Sequence, residues 1–261
     1  MQITIIGCGN MGSALAQRLS QAHQLFLYDH NEKKADLLGQ NGYGKACKDI
    51  LEALRSSEMV ILAIKPQSIK QVAERIRAHL RENQMIISLL AGTTIGALRQ
   101  YFSNVQIVRM MPNLPLIFGE GVIGLSGENI MDKDKEHVTR TFVSLGKIYW
   151  MPEEKIDALT ALSGSGPAFF FAIVEAMIDA GIAMGFTSTD AQNVIYQMLR
   201  GSLTLLEQTS KHPGELKWQI ASPQGTTIAG LKRLEELALR GGIMNTFLAA
   251  YERVNKLSSH L

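Results

Sequence analysis

Three glycines in "IGCGNMG", namely Gly7, Gly9 and Gly12, follow a short β-branched run and open a helical pattern. In that setting the first glycine makes a tight turn, the second lets main chain approach a pyrophosphate closely, and the third packs strand tightly on helix. The helix beginning at Asn10 and Met11 turns unpaired N–H groups and its positive end towards phosphate oxygens. Asp29 closes the second apolar run, about twenty residues beyond the first glycine, where an acid meets ribose hydroxyls. The chemistry implied is the binding of a dinucleotide redox cofactor. Asp29 favours NADH, while His30, Lys33 and Lys34 beside it suit a 2′-phosphate, so NADPH stays open. Lys33 and Lys34 also read as a solvated helix face. "AIKP" (Ala63, Ile64, Lys65, Pro66) ends a third strand-like run, at the carboxyl edge where open sheets bind ligands. Cys8 reads as packing inside the glycine loop, because nothing nearby in sequence would lower its pKa.

A second stretch, "SPQGTTIAG" (Ser222–Gly230), is a small polar loop running into a helix near Thr226. The first N–H groups of that helix suit an anion, Ser222 adds a hydroxyl, and Gly225 lets main chain approach closely. Taken alone, the same residues make an ordinary Ser/Thr helix cap.

These groups need elements to hold them. "ITIIG", "LFLYD", "MVILAI", "MIISLL" and "VQIVRM" are compact apolar runs separated by helical patterns at 12–20, 32–38 and 68–80. Such alternation predicts a parallel sheet covered on both faces, a doubly wound α/β domain of Rossmann type. Runs at 121–125 and 147–151, flanking a helical segment from 132 to 145, complete it. Beyond about residue 155 the pattern becomes helical throughout: 153–162, 167–184, 189–208, 214–220, 226–239 and 241–257. The expected division is therefore a dinucleotide-binding domain over 1–155 and an all-helical domain over 156–261. Pro167 suits a first helical turn, and Thr189 with Gln192 fits a capping box. "PAFFFAIVEAMIDAGIAMGF" (167–186) is long enough to span a bilayer. Glu175 and Asp179 near its middle are expensive in lipid and argue for a buried helix of a soluble protein. It is apolar almost all round, so a partner subunit is expected to cover what one small domain leaves bare.

Composition narrows the partners. Lys+Arg 26 against Asp+Glu 24 gives a net charge of +2 in 261 residues, with no electrostatic call for nucleic acid or an anionic membrane. Two cysteines supply neither a disulfide framework nor a ligand cluster, and the six histidines are scattered singly, so no metal site is expected. The opening "MQITIIGCGN" carries no charged leader, and its apolar run is too short for a signal sequence. A cytoplasmic protein is expected.

"IGCGNMGSAL", "VILAIKPQ", "SLLAGTTI", "RMMPNLP", "ALTALSGSGPAFFFAIVEAMIDAG", "HPGELK" and "SPQGTTIAGL" occur in this order. Together they resemble the pyrroline-5-carboxylate reductase family over nearly the whole chain, and the pairing of "SGSGPA" with "SP-x-GTT" is the most specific part. The resemblance implies reduction of Δ1-pyrroline-5-carboxylate to L-proline by NADH or NADPH. It also implies a Rossmann domain followed by a helical domain that intertwines into a homodimer, often within a larger ring. By the same resemblance Ser222, Gly225, Thr226 and Thr227 line the substrate site. The loop's N–H groups meet the carboxylate, and the Thr227 hydroxyl lies near the ring nitrogen, as the catalytic residue. A threonine hydroxyl is too weak an acid to serve as general acid near neutral pH. Thr227 then either orients a substrate already protonated or relays a proton from water.

The resemblance further lays the main chain of residues 63–66 along the cofactor and puts Asn113, with Met111, Pro112 and Pro115, on its nicotinamide side. Lys65 is expected to face solvent or the pyrophosphate, and Ser163 and Ser165 to cap or pack before the apolar helix. Two positions depart from the family pattern: Gln224 stands where glycine is usual, and Leu114 where threonine is common. A φ above zero at Gln224 would cost about 1–2 kcal/mol and alter the loop. A 3-hydroxyacid dehydrogenase also opens with a glycine loop, but the lysine of its catalytic helix corresponds here to Phe170, which is neither acid nor base. A dinucleotide-binding protein that kept the fold and lost the reaction is the other alternative, and only Gln224 favours it.

Overall fold

The computed structural model describes residues 1–258, so the last three residues of the expected helical domain lie outside the described part. The chain forms two compact units, residues 1–164 with 250–258, and residues 165–249.

The first unit holds an eight-stranded sheet in the order β3-β2-β1-β4-β5-β6-β7-β8. Its strands are β1 (Gln2–Ile6), β2 (Gln24–Tyr28), β3 (Lys45–Ala46), β4 (Met59–Leu62), β5 (Met85–Ser88), β6 (Gln106–Pro112), β7 (Gly121–Gly127) and β8 (Gly146–Trp150). The helices are α1 (Asn10–Leu19), α2 (Glu32–Gln40), α3 (Ile50–Leu54), α4 (Ile69–Ile76), α5 (Ile95–Arg99), α6 (Asp132–Phe142) and α7 (Ile156–Leu159). Alternating side chains of one strand serve opposite faces. Ile3, Ile5, Leu25, Leu27 and Ile61 join Leu15 of α1, Leu38 of α2 and Phe142 of α6 in one core. Ile6, Val60, Leu62 and Ile86 join Ile50 of α3, Ile76 of α4 and Leu98 of α5 in the other. Strands buried on both faces explain the unbroken apolar runs.

The sheet differs from the expected one in a single direction change, since β7 lies antiparallel to β6. Residues 113–120 between them hold only a 3₁₀ turn, Leu114–Phe118, that ends at Gly119 with φ +77°. A parallel return needs a crossover of a dozen or more residues, which this connection lacks. The two-residue β3 and the five-residue α3 and α5 were not expected; each is too short to show a period.

The second unit holds α8 (Gly166–Ala183), α9 (Ser188–Thr209), α10 (Pro213–Ile220), α11 (Thr226–Glu236) and most of α12 (Leu239–Ser258). The helix expected over 153–162 is instead a 3₁₀ turn (Glu153–Lys155), α7 and a π-helical turn (Thr160–Ser165). The cap of α9 is Thr187 and not Thr189: its hydroxyl accepts from Asp190 N–H at 3.1 Å and donates to the Asp190 carboxylate at 2.7 Å. Thr187 precedes the first turn and meets an acid three residues on, a stronger pairing than threonine with glutamine. Ser165 does not cap α8, and the Ser163 hydroxyl donates back to the Leu159 carbonyl at 2.9 Å.

Within this chain the apolar helix stays largely bare, in line with its all-round apolar pattern. Val174 is the one buried residue of α8, and Phe171 is 64% exposed. The stretch Glu153–Ala183 is long and apolar enough to cross a membrane. Between α8 and α9 lies an apolar groove of about 880 Å³, lined by Phe171, Ile178, Tyr196 and Leu203 together with Glu175 and Arg200.

Candidate active site

Parallel register brings the first set of residues together. Ile6 lies level with Tyr28 on one side and Leu62 on the other, so Gly7, Asp29 and Ala63 leave three adjacent strands at one edge. Between β1 and β4 the strand order reverses, which opens the crevice where doubly wound sheets take ligands. Gly7 donates its N–H to the Tyr28 carbonyl at 2.8 Å, and Ala63 donates to the Ile6 carbonyl at 2.8 Å. Gly7 has φ +103°, and a Cβ there would strike the Ala63 carbonyl. A Cβ at Gly12 would strike the Gly7 carbonyl, whereas one at Gly9 would meet open space. Gly7 and Gly12 are therefore fixed by packing, and Gly9 leaves bare main chain facing the crevice.

No side chain caps α1, whose N-cap is Gly9, so the N–H groups of its first turn, at Asn10, Met11 and Gly12, stay available to an anion. Asp29 is 7% exposed. Its Oδ2 accepts the Cys8 N–H at 2.7 Å, and its Oδ1 accepts the Asn31 N–H at 2.9 Å with the His30 ring nitrogen at 3.1 Å. Burial, reinforced by the Asp29 charge and opposed by Lys34, pushes the Cys8 thiol up to about 12. A thiol so disposed stays protonated and inert. These groups fit a dinucleotide: bare amides for a pyrophosphate, and an acid where the ribose would lie.

Lys65 is exposed and precedes a 3₁₀ turn that starts at Pro66. Asn113 follows the carboxyl end of β6, on the same edge as Gly7 and Ala63. That is three strand spacings from β1, roughly 14 Å, a distance suited to the far ring of an extended dinucleotide. Its side chain is committed inside the protein. Oδ1 accepts the Val122 N–H at 2.8 Å and Nδ2 donates to the Ser163 carbonyl at 3.0 Å.

Sequence reasoning missed a buried charge cluster behind this edge. Arg109 in β6 is 1% exposed, with Nη1 3.1 Å from Glu153 Oε1 and Nη2 3.1 Å from Asp157 Oδ1. Glu153 Oε1 also accepts the Ile95 N–H at 2.7 Å, so the trio ties β6 to α5 and α7. An arginine inside the apolar run "VQIVRM" was the available signal, because a buried guanidinium requires acids.

In the second unit, residues 222–227 turn into α11. The N-cap is Gly225, without any side-chain cap, and its N–H donates to the Ser222 carbonyl at 3.1 Å. The ordinary Ser/Thr cap is therefore absent, and no side chain caps the first N–H groups of α11, at Thr226 and Thr227. Gln224 has φ +59°. Ser222 and Thr226 are exposed and Thr227 is half-buried.

Comparison with known proteins adds to this geometry. Residues 153–257 match the family model described as pyrroline-5-carboxylate reductase dimerisation, and residues 2–92 match that of NADP oxidoreductase, coenzyme F420-dependent. The pyrroline-5-carboxylate reductase of Methanosarcina acetivorans is 33% identical over 271 residues, covering 98% of this chain and 97% of its own. That of Glycine max is 36% identical over 208 residues, 79% of this chain and 76% of its own. The crystal structure of Plasmodium falciparum pyrroline carboxylate reductase with NADP bound matches with a TM-score of 0.90 at 30% identity, covering 99% of this chain and 98% of that one.

Proposed function

The chain belongs to the pyrroline-5-carboxylate reductase family, and from that premise we propose how its own residues serve the reduction of Δ1-pyrroline-5-carboxylate to L-proline by NADH or NADPH. The observation that carries the reading is the pair of uncapped helix N-termini, α1 behind a glycine turn and α11 behind residues 222–227. The reaction has two anionic parties, a dinucleotide and a small carboxylate, and each N-terminus suits one of them.

Gly7, Gly9, Asn10, Met11 and Gly12 hold the pyrophosphate, Asp29 meets the adenosine ribose, and the main chain of Ala63, Ile64, Lys65, Pro66 and Asn113 lines the path to the nicotinamide. When bound, the reduced nicotinamide supplies the hydride that the imine carbon accepts. The main-chain N–H groups of Thr226 and Thr227 grip the substrate carboxylate, Ser222 adds its hydroxyl, and Gly225 keeps the approach open. Thr227 orients the ring nitrogen of a substrate that arrives protonated, since an aliphatic hydroxyl does not act as an acid near neutral pH. The protein's contribution is orientation and exclusion of water.

We take residues 1–155 as the cofactor half and 156–261 as the dimerisation and substrate half, in a cytoplasmic protein. The apolar faces of α8 and α9 are covered by a second copy of the chain and not by lipid or nucleic acid. Glu175 and Arg200 in the groove support this, because charged groups are costly inside a bilayer. Such dimers build a larger ring.

The test is cofactor oxidation, followed by absorbance, when the cyclic imine is supplied with NADH or NADPH. Turnover that needs both reactants is expected. Cofactor binding without turnover would instead identify a silent dinucleotide-binding protein.

A further inference from the structure

Packed glycines and the buried Asp29 fix the β1 end of the sheet edge, and a different device fixes the β6 end. We infer that Arg109 is a positioning residue for the reduction: through its two acids it sets the main chain against which the nicotinamide is aligned. The inference rests on the reductase reading, in which Asn113 marks the nicotinamide side.

Arg109 gathers three stretches of chain at this end. It lies level with Ser88, so the chains leaving β5 and β6 run side by side. Nη1 holds Glu153 and Nη2 holds Asp157, both at 3.1 Å, just ahead of the π-helical turn Thr160–Ser165. The same Glu153 oxygen takes the Ile95 N–H at 2.7 Å and so anchors the chain that leaves β5. Asn113 stands four residues beyond Arg109 in extended chain, on the same side, and its Nδ2 reaches the Ser163 carbonyl at 3.0 Å. Two side chains of one stretch thus grip residues 153–163 at both ends.

Packing by itself already seats this segment. Ile156 is fully buried, and Gly124 of β7 carries no side chain where that of Leu159 sits. Three charged groups are a poor choice if adhesion is all that is needed, because an apolar trio of similar volume often stabilises as well or better. What the ions add is direction. The guanidinium is flat, and its two outer nitrogens face acids from two successive turns. Its Nε makes no hydrogen bond among the described residues, so these acids alone aim the group. Direction matters most where hydride passes, since a misplacement of about 1 Å can cost about a hundredfold in rate.

The test compares two variants of the full chain with the wild type, each checked for folding by circular dichroism. Arg109→Lys keeps the charge but offers one point of contact where the fork had two. Arg109→Met combined with Glu153→Gln and Asp157→Asn strands no charge in the interior and keeps an acceptor for the Ile95 N–H. Both are expected to bind ADP-ribose, the adenosine half of the cofactor, within about twofold of the wild type, because that half lies at the distant β1 end. Their kcat with reduced cofactor and the cyclic imine is expected to fall about tenfold or more. The primary isotope effect on kcat, with the cofactor deuterated at the nicotinamide C4, should rise as hydride transfer becomes the slow step. A purely structural role would shift the melting temperature and neither kinetic quantity. A kcat within about twofold of the wild type in either folded variant overturns the inference. Loss of ADP-ribose affinity in step with kcat also overturns it, since the whole unit would then have loosened. Absence of turnover in the wild type itself overturns the reductase reading, and the inference with it.

Discussion

The two helix N-termini share one physics and differ in how they are held. The α1 terminus sits at the edge of a sheet with a core on each face, its glycines locked by neighbouring carbonyls and its acid pinned by two amides. The α11 terminus belongs to a unit whose helices expose their apolar residues, Trp218 at 63% among them, and its loop contains a strained residue, Gln224. The first unit buries both faces of its sheet within one chain. The second leaves its apolar helices largely bare, and it falls within the residues that match the dimerisation family model.

Charging the bare face should break this contrast most severely. Phe171→Glu is expected to dissociate the oligomer, read by sedimentation, because an unpaired carboxylate is costly to bury. The matched change in the first unit, Leu37→Glu at a residue 58% exposed, should leave the assembly intact. Equal effects from both would dissolve the distinction between the units.

Next in size is Arg109→Leu, expected to lower unfolding free energy by about 3 kcal/mol in denaturant titration, since it strips two acids of their partner. ADP-ribose affinity of the folded variant should be kept, because Asp29 and the glycine turn are untouched. Thr227→Ala should cut turnover on the order of a hundredfold through lost orientation, with the melting temperature unchanged. Near-normal turnover would remove residues 222–227 from the chemistry. The smallest effect is Gln224→Gly, expected to raise stability by about 1 kcal/mol, as glycine carries no penalty in the left-handed region. No gain would mean that the side chain makes compensating contacts in the oligomer.

What the sequence disclosed was what is local. The glycine turn is legible because its three glycines fall within six consecutive residues, and the strands are legible because burial on both faces leaves continuous apolar runs. The direction of β7 is hidden, since it depends on the length of residues 113–120 and not on any run within β7. The partners of Arg109 lie 44 and 48 residues away, beyond any periodic signal. At α9, two threonines compete in "TSTD", and the acid three residues after the first decides between them. For α8, sequence discloses the apolar surface correctly, and a single chain does not bury it. Gln224 departs from the family pattern, and its positive φ gives that departure a physical meaning.

A small carboxylate gripped by main chain at residues 226 and 227, with the cofactor resting on the glycine turn, is the arrangement on which the proposed reaction depends. A crystal structure of the oligomer with NADH and L-proline would display it. The proline carboxylate is expected within hydrogen-bonding distance of the Thr226 and Thr227 N–H groups, with the ring nitrogen near the Thr227 hydroxyl. Proline bound elsewhere, with residues 222–227 turned away from the nicotinamide, would contradict it.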